Sequence, residues 1–180
     1  MEQGRILLIS GAPGTGKTTV ARLLADASPA ARSAHLHTDD LYAALRKGAL
    51  PPQLPGSEEQ NRVVVEAFLS AAARLARGGY EVVVDGVVGP WFLDPWLRAA
   101  RAGCEIHYLV LRASRAETLR RALGREKLDP AANRALVEGM WDQFAALGRY
   151  EAHAVETTTL TPAQTAAAVR ARVDAGDARL

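Results

Sequence analysis

Residues 11–19 read Gly11-Ala12-Pro13-Gly14-Thr15-Gly16-Lys17-Thr18-Thr19, directly after the apolar run Ile6-Leu7-Leu8-Ile9 and before Val20-Ala21-Arg22-Leu23-Leu24-Ala25. Glycines at 11, 14 and 16 let a backbone wrap closely round a phosphate with its N–H groups pointing inwards, and the helix that follows adds about half a positive charge at its N-terminus. Gly11, Gly16, Lys17 and Thr18 fit the spacing G-x-x-x-x-G-K-[ST] and lie between a strand and a helix, where that spacing has a mechanism. The whole stretch, Ala12, Pro13, Thr15 and Thr19 included, is expected to hold the phosphates of ATP. Lys17 would reach the outer phosphates as a point charge, and Thr18 would place its hydroxyl on Mg²⁺.

On either side of this turn, apolar runs alternate with helical patterns, the signature of repeated βα units. Five strands are expected: Arg5 to Ser10, Ala34 to Thr38, Tyr80 to Asp85, Glu105 to Leu111 and His153 to Thr157. They imply an α/β, three-layer P-loop NTPase fold, a five-stranded parallel sheet with helices on both faces. Between the second and third strands Val64, Phe68, Ala71 and Leu75 recur at helical spacing, opposite Arg62, Glu66, Ser70 and Arg74. Ser57 with Gln60, Ser114 with Glu117 and Thr161 with Gln164 read as capping boxes, and Gly78-Gly79 as a helix stop. Residues 47–56 hold three prolines and two glycines and read as a loop.

Length and composition set limits. The chain has 180 residues, 48% of them hydrophobic, enough for one domain over residues 1–180 with a substantial core. Twenty-two basic and 20 acidic residues leave a net charge of +2, without a block of like charges, so long nucleic acid is not an expected partner. No apolar run reaches the roughly 18 residues of a membrane span, which points to a cytoplasmic protein away from membranes. Cys104 is the one cysteine and reads as a small apolar residue.

In an open parallel sheet, ligands bind beyond the carboxyl ends of the strands. His37-Thr38-Asp39-Asp40-Leu41-Tyr42 follows the second strand. A carboxylate there can take or orient the proton of an attacking hydroxyl, and Asp39 is favoured. Of the two aspartates, one is expected to N-cap the segment Leu41 to Arg46. Val82-Val83-Val84 ends in Asp85-Gly86, and a carboxylate ending an apolar strand calls for a partner such as Mg²⁺ with its waters. His35 and His37 alternate along the second strand without a third ligand at suitable spacing, so zinc is not expected.

These segments resemble the small P-loop kinases of the nucleoside monophosphate kinase group. V-V-V-D-G is similar to the strand-end Asp-Gly of adenylate kinases. D-D-L-Y resembles the segment that carries the acceptor-activating aspartate of chloramphenicol phosphotransferase and polynucleotide 5′-hydroxyl kinases, which maps onto Asp39. Across nearly its whole length the chain looks like bacterial ATP-binding proteins of the AAA_33 type, sharing H-x-D-D-L, Q-N-R and V-x-D-G-V-V-x-P. Val87-Val88-Gly89-Pro90 lacks the arginine that follows D-G-F-P in adenylate kinases, which argues against a nucleoside monophosphate acceptor. No N-K-x-D guanine motif is present.

Arg112, Arg115, Arg120, Arg121, Arg125 and Arg134 crowd the stretch from the fourth strand onward, and a transferring phosphoryl group needs such cations. By the resemblance, a short lid at about 120–134 carries Arg121 and Arg125 over ATP, with adenine near Thr157 to Leu160. An acceptor over Asp39 would meet Asp40, Asn61, Arg62 and Trp91, with Trp91, Phe92 and Trp96 either an aromatic wall or the core packing of a short helix. Trp141 and Phe144 read as core. The function implied is transfer of the ATP γ-phosphate to a hydroxyl of a small molecule, a metabolite or an antibiotic. A polynucleotide 5′-hydroxyl kinase and a nucleotide-dependent binding or regulatory module without transfer are the alternatives.

Overall fold

The computed structural model describes residues 3–123 and 130–180. Five parallel strands, β1 Ile6–Ser10, β2 Ser33–His37, β3 Glu81–Asp85, β4 Ile106–Arg112 and β5 Ala154–Glu156, lie in the order β2-β3-β1-β4-β5. Every strand expected from the sequence is present, its ends moved by no more than one residue. The helices are α1 Lys17–Asp26, α2 Thr38–Ala44, α3 Glu58–Arg77, α4 Asp94–Arg101, α5 Arg115–Leu123, α6 Pro130–Phe144 and α7 Pro162–Asp174.

Strand β1 occupies the middle because it is apolar on both sides, and Ile6, Leu7, Leu8 and Ile9 are all fully buried. Alternation then assigns its side chains. Ile6 and Leu8 join Val65 and Phe68 of α3 and Trp96 of α4 on one face, while Leu7 and Ile9 join Val20 and Leu24 of α1 and Val169 and Val173 of α7 on the other. Burying each of these aliphatic side chains contributes about 1.5–3 kcal/mol, and the pattern yields helices on both faces of the sheet.

Several local expectations change. The buried face of α3 runs through Asn61, Val64, Val65, Phe68, Ala72, Ala73 and Ala76, which keeps the expected Val64 and Phe68, with Leu75 partly buried, but leaves Ala71 exposed. Ser57 does not cap α3; its hydroxyl donates to the carbonyls of Pro52 and Leu54, tying down the preceding loop. Neither Asp39 nor Asp40 caps α2. His37 holds the N-cap position and both aspartates sit in the first turn. The Ser114 box is half formed, since Glu117 N–H reaches Ser114 but the Glu117 carboxylate turns to Arg120 and Arg121. The Thr161–Gln164 box forms in both directions. Residues 47–56 form neither helix nor strand. Among the described residues no helix is long and apolar enough to cross a membrane.

Candidate active site

The phosphate-binding turn starts at the end of β1 and closes on α1. Gly11, Gly14 and Gly16 take φ values of 141°, 85° and 90°, a region that side chains disfavour. Gly14 also lies against α5, where a Cβ would come within 2.6 Å of the Thr118 carbonyl, so the turn and α5 pack directly. Gly16 precedes α1 without any side-chain cap, leaving the first-turn N–H groups for another acceptor. Lys17 is largely buried and folds back over the turn, donating to the Ala12 carbonyl at 3.0 Å.

Beyond the turn, the fully buried Asp85 collects polar groups from two neighbouring elements. Thr18 Oγ1 donates to its Oδ2 at 2.7 Å, His35 Nε2 lies 2.6 Å from Oδ1, and His37 Nδ1 lies 3.0 Å from Oδ2. Burial pushes the Asp85 pKa up, but the hydrogen bonds from His35 and Thr18 and the adjacent His37 outweigh it, holding the carboxyl below its usual range. The ionised carboxylate beside the Thr18 hydroxyl is a hard-oxygen set that suits Mg²⁺. Both carboxylate oxygens already carry donors. Among the described residues no group of three or more His, Cys, Asp or Glu could hold a metal alone. Thr18 and Asp85 would therefore hold Mg²⁺ together with water and the nucleotide's phosphates.

His37 spans two carboxylates, because its Nε2 lies 3.3 Å from Asp39 Oδ2 while its Nδ1 faces Asp85. Asp39 is 76% exposed and lines a cavity of about 700 Å³. That cavity lies between α2, the 47–56 loop, α3, the segment after β3, and α6. The segment after β3 is pinned from two strands. Ser10 Oγ donates to the Val88 carbonyl and accepts from Val88 N–H, and Tyr108 OH donates to the same carbonyl at 2.8 Å.

The structure sorts the remaining acceptor candidates. Trp91 and Phe92 line the cavity, whereas Trp96 is fully buried in the core and is not part of the wall. Asn61 lines it but is already engaged: its amide donates to the Pro52 carbonyl and to Ser57 Oγ, and it accepts from Tyr42 OH at 3.0 Å. Arg62 turns away to Glu59 and Glu66 on the exposed side of α3, because position 62 falls outside the buried stripe. Asp40 is exposed and is not in the cavity lining.

Arg121 donates to Glu117 and to the carbonyls of Thr157 and Thr158, so it reaches the segment expected to receive adenine with its guanidinium already occupied. Arg125 lies outside the described residues. Arg112 pairs with Glu151 and Glu156, and Arg115 with Glu138 and Asp142, which removes both from a lid role in this arrangement. Phe144 is core, as read, and Trp141 is half-buried with its indole N–H donating to Ala113.

Two site residues escaped the sequence reading in their true capacity. His35 and His37 appeared there only as unlikely zinc ligands. Their shared face was visible from the two-residue spacing, but their target was not, since it depends on the register that sets His37 opposite Asp85.

A family model described as AAA_33, AAA domain, matches residues 6–147. Curated relatives include the uncharacterized proteins Rv2004c of Mycobacterium tuberculosis and Mb2027c of Mycobacterium bovis, each 34% identical over 116 residues. These matches cover 59% of this chain and 22% of each relative, so the chain spans about a fifth of their length. Among solved structures, the Mycobacterium tuberculosis APS kinase in complex with AMPPNP and APS aligns with a TM-score of 0.70 at 17% identity, covering 97% of this chain and 99% of that one. The tunicamycin resistance protein of Deinococcus radiodurans aligns with a TM-score of 0.65 at 22% identity, covering 95% and 96%. A gluconokinase from Sinorhizobium meliloti gives 0.62 at 19%, covering 97% and 95%. The fold is shared with P-loop kinases.

Proposed function

The chain belongs to the AAA_33 family of AAA-domain proteins, and from that premise we propose that it is an ATP-dependent phosphotransferase acting on a hydroxyl of a small molecule, a metabolite or an antibiotic. One observation carries the reading: His37 joins Asp85, which is hydrogen-bonded to Thr18 of the phosphate turn, to Asp39 at the wall of the cavity. A nucleotide-only module has no need of a carboxylate held at that place.

Mg²⁺ bound at Thr18 and Asp85 would neutralise charge on the outer phosphates. Lys17 and the backbone N–H groups of residues 14–18 bind and orient those phosphates. Asp39 accepts the proton of the acceptor hydroxyl as its oxygen bonds to the γ-phosphorus. The bond from that phosphorus to the β–γ bridging oxygen breaks, and ADP leaves with the electron pair. Arg125, and Arg121 once released from Glu117 and the Thr157 and Thr158 carbonyls, are the lid arginines of this proposal.

The test is Asp39→Asn. Positioned acid–base catalysis contributes about 10²–10⁴-fold, so transfer from γ-labelled ATP to an accepted alcohol should fall by that range, while affinity for a nonhydrolysable ATP analogue stays as in the parent chain. Full transfer by the variant would remove Asp39 from the mechanism. Labelling of short RNA or DNA ends, with salt-sensitive affinity, would instead support the polynucleotide reading.

A further inference from the structure

The cavity beside Asp39 has a composition that bears on what enters it. Its volume, about 700 Å³, lies within the roughly 300–1,000 Å³ range of pockets for drug-sized ligands. Val64, Phe68, Val87, Trp91, Phe92 and Met140 supply aliphatic and aromatic surface from α3, the segment after β3, and α6. The charged side chains among the described lining residues are Asp39 and Glu58, both acidic; that lining holds no lysine or arginine. Arg62, the cation nearest in sequence, is committed to Glu59 and Glu66 on the exposed side of α3.

Three of the polar side chains of the lining are spent on the protein itself. Asn61 and Ser57 hold the carbonyls of the 47–56 loop, and Tyr42 OH is given to Asn61. Burial and the nearby Asp39 carboxylate both push the Tyr42 pKa up. An anionic group seated here would lose its hydration beside two carboxylates, with no cation among the described lining residues to receive it.

Trp91 has a definite seat in this wall. Its ring packs edge-on against Phe144, with centroids 5.2 Å apart, and lies directly over Gly89, where a Cβ would intrude among the ring atoms. The backbone of Gly89, at φ −79° and ψ 175°, is open to any residue, so an added methyl there displaces the ring without straining the chain.

Resting on the kinase reading above, we infer that the acceptor is a neutral or cationic alcohol with an aromatic or alkyl body, and not a phosphorylated or carboxylated compound. The cavity walls hold the body, and the hydroxyl is the group presented to Asp39.

Nile red, a neutral apolar dye, serves as the probe in the full chain, with phenethyl alcohol and larger neutral or amine-bearing aryl alcohols as competitors against gluconate and ribose phosphate. One equivalent of dye should bind and be displaced by the aryl alcohols, while the two anions leave it in place at millimolar concentration. Gly89→Ala and Trp91→Ala should each weaken aryl-alcohol binding about tenfold, with melting temperature and ATP-analogue affinity as folding controls. Met140→Arg, which adds a cation to a half-buried wall position, should lose the dye and gain the anions. Absence of stoichiometric dye binding, or displacement of dye by gluconate or ribose phosphate as readily as by the alcohols, overturns the inference, as does preferential phosphorylation of the anions. Alcohols that bind as expected yet receive no phosphate from labelled ATP would uphold the cavity's chemistry while overturning the kinase reading.

Discussion

The two ends of β3 carry the two buried carboxylates of the sheet, and they are treated in opposite ways. Glu81, 1% exposed at the N-terminal end, meets Arg5 at 2.7 Å and Arg170 at 2.6 Å. Asp85, fully buried at the other end, meets two histidines and a threonine. Burial pushes both carboxyls up, and in both the partners win and hold the group below its usual range. Glu81, however, is bounded by two permanent cations, so its charge is neutralised within the fold. Asp85 is held by dipoles and imidazoles at the mouth of the phosphate turn. A strand can thus bury the same chemistry twice, once against permanent cations and once against hydrogen-bond donors beside the phosphate turn.

The comparison breaks most sharply at Asp85→Asn. On the proposed function, loss of the carboxylate removes the hard anionic donor that would hold Mg²⁺, and metal-assisted charge stabilisation is worth several kcal/mol. ATP turnover should fall by about a thousandfold, roughly 4 kcal/mol, read as kcat in a coupled ADP assay across a Mg²⁺ titration. Near-normal turnover at ordinary Mg²⁺ would show that the aspartate serves the fold, like Glu81.

Glu81→Gln makes the converse case. Breaking a buried pair strands its partners and costs about 3–5 kcal/mol, here toward the lower figure because Arg5 and Arg170 retain some exposure. Urea melts should therefore lose about 3 kcal/mol while turnover per folded molecule is kept. The sign with pH follows from the depressed carboxyl. Its contribution is present above the ordinary glutamate pKa of about 4.3 and is lost as pH falls through the lower folded value. The parent chain should lose stability below about pH 5 more steeply than the variant; parallel acid slopes would refute that assignment.

How much of this was legible beforehand depends on the range of the interaction. The phosphate turn, the strands and the closing box at Thr161 are written in neighbouring residues, so the sequence shows them directly. Asp39 and Asp85 were visible as strand-end carboxylates. The cavity was not, since its walls come from five separate segments, and Leu136 and Met140 of α6 carry no local sign of facing Asp39. Asn61 misled for a different reason: a polar residue at a helix start looks available. Only the stripe through Val65, Phe68 and Ala72 puts it on the buried side, where it holds Pro52 and Ser57. Ser57 failed as a cap because a tertiary demand, the proline loop, claimed its hydroxyl first.

The finest division lies inside the Asp85 cluster itself. Among the described residues the one carboxylate His35 meets is Asp85, whereas His37 meets both Asp85 and Asp39. Groups that orient a metal-site ligand are worth about 10–100-fold, so His35→Asn and His37→Asn should each lower turnover by about tenfold through Asp85. His37→Asn should differ in one respect. In an Asp39→Asn background its effect should shrink, because part of its work is to orient the carboxylate already removed, while the effect of His35→Asn should carry over in full. If both histidines prove additive with Asp39→Asn, His37 acts through Asp85 alone, and the contact at 3.3 Å to Asp39 contributes nothing to transfer.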